Sequence, residues 1–199
     1  MVLVAKGRWG KYSLKENPKR FFTPIEWTKF FNELHPRNKF HFLFLFSTGM
    51  RYNEAKQVVV GDIDFGRKWI VVKKAKGGRG KIRYSHFSTN FIKHLRYHIS
   101  FNNLKNVDVL GFPTIQGMNK ILKRTCKKIG IKDYKDFSIH NIRKTHENYL
   151  LALGKHHFHI SNHMGHTIDI ASGHYISGAL IKGDVEKNKI KKWFGDMFE

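Results

Sequence analysis

Seven residues, Phe40-His41-Phe42-Leu43-Phe44-Leu45-Phe46, place six apolar side chains around a single imidazole. A helix lying on a surface needs a polar face, and this run has none. It must therefore cross a core, ending at Ser47-Thr48-Gly49, and the rest of the chain has to cover it. The chain can do so as one domain: it has 199 residues, 41% of them hydrophobic, including 17 Phe.

The flanking sequence supplies the covering elements. Thr23-Pro24-Ile25-Glu26 is a capping box with proline at the first helical position, which predicts a helix from Pro24 to about Leu34, broken at His35-Pro36-Arg37-Asn38. From Gln57 to Ser88 the period changes. Val58-Val59-Val60, Trp69 to Val72 and Ile82 to Phe87 are β-branched or aromatic runs separated by glycine-rich turns, and they predict three short strands. Helices are predicted again at about Thr89 to Ile99, Thr114 to Ile129, Ile139 to Leu153 and Asp184 to Phe194, with Gly130 and Gly154 as C-terminal stops. The expected fold is α+β: a mostly helical domain with a small antiparallel three-stranded β-meander. Residues 1–21 read as a mobile basic arm, 22–183 as the domain, and 184–199 as an amphipathic C-terminal helix or tail.

Charge narrows the partners. Lys and Arg number 37 against 15 Asp and Glu, a formal net charge of +22, and such self-repulsion calls for a polyanion. Nucleic acid comes first and an anionic membrane surface second, because no long basic amphipathic helix stands apart from the fold. There is no apolar run of eighteen residues, and the N-terminus is too short for a secretory signal, so a cytoplasmic, intracellular protein is expected. A single cysteine, Cys126, excludes an intrachain disulfide, and nothing in the sequence suggests a cysteine-based metal site.

The segment from His140 to Ser177 holds eight of the 13 histidines and ends near Tyr175. Zinc is disfavoured, since neither a CxxC nor an HExxH accompanies them. The surplus imidazoles are expected to face nucleic acid or solvent. A phosphate site uses more of these residues. His140 and Arg143 sit three apart on one helix face, Met164-Gly165-His166 is followed nine positions later by Tyr175, and Thr48-Gly49-Met50-Arg51-Tyr52-Asn53-Glu54 adds a second arginine after the buried helix. Two guanidiniums, two imidazoles and a phenol are the inventory for attack on a phosphodiester.

These three boxes, in this order and at these separations, resemble the tyrosine recombinases or integrases, whose catalytic core is shared with type IB topoisomerases. The resemblance spans residues 22 to 182. It implies that Arg51 and Arg143 clamp the non-bridging oxygens of the scissile phosphate, a task suited to a planar, permanently charged, bidentate group. It further implies that Tyr175 attacks phosphorus to give a 3′-phosphotyrosine, that His140 is the acid/base, that His166 hydrogen-bonds the phosphate, and that Glu54 orients the site. Glu54 also reads as a plain helix ion-pair partner, and His163 and His174 flank the assigned residues closely enough to exchange roles with His166. For the proton to the leaving 5′-oxygen the resemblance implies a lysine in the meander turn, here Lys76 in Ala75-Lys76-Gly77-Gly78, with Lys73, Lys74 and Lys81 as neighbours able to replace it.

The implied function is site-specific recombination of double-stranded DNA, metal-independent and without cofactor. The alternatives are a topoisomerase-like nicking and resealing enzyme or a non-catalytic basic DNA-binding protein. Self-assembly on DNA from dimer to tetramer, with the C-terminal tail as one route, belongs to the same expectation, as does a nucleoid, viral or plasmid setting. The family's usual N-terminal helical domain has only the basic arm in its place, which fits an excised catalytic domain as well as a single-domain member.

Overall fold

Thr23 starts the first long helix by satisfying its open end. The Thr23 hydroxyl accepts from the Glu26 N–H (3.3 Å) and the Glu26 carboxylate accepts from the Thr23 N–H (2.9 Å), so α1 runs Pro24–Glu33. Pro36, expected as a breaker, instead begins α2 (Pro36–Thr48), at a position where a missing N–H costs nothing. The computed structural model describes residues 20–73, 82–165, 181 and 183–198, with 4–7 and 10–13 as backbone alone. Ahead of α1, strands β1 (Val4–Gly7) and β2 (Gly10–Ser13) pair antiparallel with Gly7 opposite Gly10, so this part of the basic arm is a hairpin.

Beyond α2 come α3 (Tyr52–Ala55), a 3-10 turn (Val60–Asp62), β3 (Ile63–Asp64), β4 (Trp69–Val72), β5 (Arg83–His86), α4 (Thr89–Phe101), α5 (Ile115–Lys128), a second 3-10 turn (Tyr134–Asp136), α6 (Ile139–Ala152), α7 (His157–Met164) and α8 (Asp184–Phe194). The sheet order is β3-β4-β5, antiparallel throughout, with Ile63 opposite Ile70 and Val72 opposite Arg83. The meander is therefore present, but its first strand is not Val58 to Val60. Those valines hydrogen-bond the segment before α5 instead, Val60 N–H to Asp108 O at 3.0 Å and Leu110 N–H to Val58 O at 3.3 Å. The Asp62 carboxylate accepts from the Val59 N–H (3.2 Å) and turns the chain before a sheet strand can form.

The apolar run behaves as its composition requires. Every residue from Phe42 to Thr48 is buried, and α4, α6 and α1 pack around α2. Phe46 is the centre of the core: Trp27 stacks on it with centroids 3.8 Å apart, while Tyr149, Trp193 and Phe194 close in at 4.9 to 5.8 Å. Trp193 and Phe194 belong to α8, which lies across α1, α4 and α6 and covers the core of its own chain.

Within the histidine-rich segment, His157–Met164 form helix α7, which periodicity alone does not predict, and α6 is buried along nearly its whole length although it reads His-Asn-Ile-Arg-Lys-Thr-His-Glu-Asn. Its polar groups tolerate burial because many find partners. Thr145 Oγ1 accepts from the Phe22 N–H (2.9 Å), and Asn141 Nδ2 donates to Arg20 O (2.6 Å). No described helix is long and apolar enough to cross a membrane.

Candidate active site

Two helix ends meet at the site. α2 stops at Gly49 and α7 at Gly165, both left-handed (φ 61° and 66°), and each end leaves backbone carbonyls without helical partners. Three arginines use them. At the end of α7 the consecutive carbonyls of His163, Met164 and Gly165 each accept from a different guanidinium: Arg83 Nη1, Arg143 Nη2 and Arg51 Nη2 (3.4 Å for the last). Arg143 also donates from Nη1 to the Gly49 carbonyl at 2.6 Å, which joins the two helix ends through one side chain. The partial negative charge of a helix C-terminus suits this crowding of cations.

Glu54 is the carboxylate bonded to the cluster. Oε1 accepts from Arg51 Nη1 (2.9 Å), and Oε2 accepts from Arg83 Nη2 (2.5 Å) and from the Arg51 N–H (2.8 Å). Burial pushes its pKa up, but the Arg83 charge and the Arg51 hydrogen bonds outweigh this and hold it below the usual carboxylate range. Glu54 is therefore an ion-pair partner, and the guanidiniums it holds are those of Arg51 and Arg83. Burial first, then the charges of Arg51 and Arg83, push the Arg143 guanidinium down to about 9. Three cations against one bonded carboxylate make a ready anion site.

Arg51 and Arg143 reach a cleft of about 230 Å³ that His140, Asn53, Ser138 and Asn119 also line. His140 is exposed at the start of α6, one turn before Arg143. Arg143 itself is only 5% exposed, more deeply set than a surface clamp. The structure therefore brings together Arg51, Glu54, His140 and Arg143. Lys76, His166 and Tyr175 lie outside the described residues, as do Lys74, Lys81 and His174. Lys73 is described, and its ammonium pairs with Asp62.

Sequence reasoning missed Arg83. Strand β5 turns Arg83 (8% exposed) and Ser85 inward while Ile82 (60%) and Tyr84 (45%) face out, the reverse of a hydropathy pattern. The available signal was alternation: Arg83 shares a face with Ser85 and the buried Phe87.

The expectation that the surplus histidines face nucleic acid or solvent is corrected at His146 and His163. Both are buried, with Nε2 atoms 2.7 Å apart. The His86 N–H donates to His163 Nδ1 (3.0 Å), so the proton of that neutral ring sits on Nε2 and is donated to His146 Nε2. His146 then donates from Nδ1 to Phe46 O at 2.7 Å. This chain of hydrogen bonds ties β5, α7, α6 and α2 together behind the arginines, and it removes His163 as a substitute for His166.

Burial holds His146 down to about 4 and His163 also well below its ordinary value. The unfolded rings titrate near 6.5, so the fold favours the neutral form; that stability is complete above pH 6.5 and is lost as pH falls towards 4. Urea unfolding at pH 5 should show roughly 2 kcal/mol less stability than at pH 7 from His146 alone. An unchanged midpoint would show that the pair is not held neutral.

A family model described as the phage integrase family matches residues 20–178. The fold is that of the XerH site-specific recombinase bound to difH substrate (TM-score 0.63, 20% identity, 82% of this chain and 53% of that chain). It is likewise that of the XerA recombinase (0.67, 18%, 87% and 64%) and of a lambda integrase(75-356) dimer bound to a COC' core site (0.60, 15%, 82% and 62%). The chain thus spans between about half and two thirds of the solved structures it resembles. No curated protein matches the sequence significantly.

Proposed function

This chain belongs to the phage integrase family of tyrosine recombinases, and from that premise we propose that it cleaves and rejoins double-stranded DNA as a site-specific recombinase. The observation that carries the reading is the gathering of Arg51 and Arg143 on the carbonyls of Gly49, Met164 and Gly165, beside His140 at a solvent-open cleft. Such a site suits one phosphodiester: its excess positive charge is relieved when an anion arrives, and its donors are preorganised.

In the proposed step the Tyr175 phenol oxygen bonds to phosphorus and the 5′-oxygen leaves, so the phosphodiester is exchanged for a 3′-phosphotyrosine. His140 accepts the phenol proton and Lys76 donates one to the departing oxygen. Arg51, Arg143 and His166 hold the non-bridging oxygens. Reversal by another strand's 5′-hydroxyl rejoins the DNA, and the conserved ester energy makes ATP unnecessary. The unit doing this is residues 22–183.

Assembly on DNA as dimer to tetramer is part of the proposal. α8 fills a socket on its own chain, and an identical α8 from a neighbour would fill the same socket with the same contacts, which makes exchange of the tail inexpensive.

Because two guanidiniums supply the charge that a metal ion would otherwise bring, cleavage of a labelled duplex should run at the same rate in chelator as in magnesium. Strict dependence on a divalent ion would contradict the mechanism.

A further inference from the structure

Arg83 has no part in the chemistry proposed above, yet it is the most enclosed contact of Glu54. Its Nη2 lies 2.5 Å from Glu54 Oε2 and its Nη1 holds the His163 carbonyl. Gly165 rests against its stem: a Cβ there would come within 2.7 Å of Arg83 Cδ and Nε. Strand β5 thereby touches both halves of the arginine site, the α3 carboxylate and the end of α7.

We infer that Arg83 is a positioning residue that divides the Glu54 carboxylate, occupying Oε2 so that the Arg51 guanidinium is bound through Oε1 alone and keeps donors for an incoming phosphate oxyanion. A guanidinium and a carboxylate left to themselves pair fork to fork through two parallel hydrogen bonds. Arg51 does not, because Arg83 and the Arg51 N–H already hold the second oxygen. Without Arg83, Glu54 is free to close on Arg51 and cover the donors that the anion needs.

This rests on the reading of the site as a phosphodiester site, so its test has one arm without DNA. Inorganic phosphate should raise the Tm of wild type, and this shift should shrink at least threefold in Arg83→Met and be partly restored in Arg83→Met/Glu54→Gln, where nothing remains to capture Arg51. In single-turnover cleavage Arg83→Met should be slower about tenfold to a hundredfold with duplex Kd within threefold. The same change should have no further effect in an Arg51→Ala background. A phosphate shift that is absent in wild type or unaltered by Arg83→Met overturns the inference. So do a double variant worse than Arg83→Met and rate effects that multiply in the Arg51→Ala background, the mark of a merely structural role. Failure of wild type to cleave any duplex counts against the recombinase reading alone, since the phosphate arm still decides what Arg83 does.

Discussion

Replacing Arg143 with methionine should lower single-turnover DNA cleavage by about 10² to 10³-fold, the usual effect of deleting one preorganised donor to a transition-state oxyanion. The same substitution should leave the fold as stable as wild type or more so. Arg143 is almost fully buried beside two other guanidiniums, and burial and repulsion push its pKa to about 9. The folded state therefore carries an unfavourable charge that methionine, of similar reach, would remove, leaving two carbonyls to relax. Function held against stability is what an active-site charge should show, and a structural arginine should not. Urea unfolding together with single-turnover rates would measure both quantities. A large loss of stability with normal cleavage would reverse the assignment.

Gly49→Ala should be among the most damaging substitutions in the chain, by about 2 to 5 kcal/mol. Gly49 sits at φ 61°, where an L side chain is strained. Its new Cβ would lie 2.5 Å from His146 Cδ2 and 2.9 Å from Met164 Sδ. His146 has nowhere to retreat, because its two nitrogens are engaged by Phe46 O and His163. The Gly49 carbonyl that accepts from Arg143 would move as well, so cleavage should fall even in molecules that remain folded. A change in unfolding free energy below about 1 kcal/mol would mean that the turn between α2 and α3 is looser than this packing requires.

What could be read from the sequence was what local chemistry determines. The Thr23 to Glu26 capping box, the buried α2 and the helix Asp184–Phe194 appear where their residues place them, since capping and apolar patterning act within a few positions. Gly130 and Gly154 adopt the positive φ expected of helix stops. The boxes quoted for the resemblance put Arg51, Glu54, His140 and Arg143 in one group, and in the structure Arg51, His140 and Arg143 line one cleft with Glu54 bonded to Arg51. Features set by distant partners stayed hidden. Val58 to Val60 read as a sheet strand, yet residues 108 to 110 take their hydrogen bonds. Arg83 and His146 look like surface residues by type, and they are buried because a carboxylate, carbonyls and a second imidazole satisfy them. Nothing in spacing alone announces those pairings.

The most direct measurement is covalent trapping. A labelled duplex nicked near a candidate attachment site, so that the short cleaved strand diffuses away, would be incubated in chelator with wild type and with Tyr175→Phe and resolved on a denaturing protein gel. A DNA-linked protein band with wild type and none with Tyr175→Phe is the predicted result. An equal band with both proteins would contradict it by showing that another residue is the nucleophile. Tight binding with no band on any site would contradict strand cleavage by this chain.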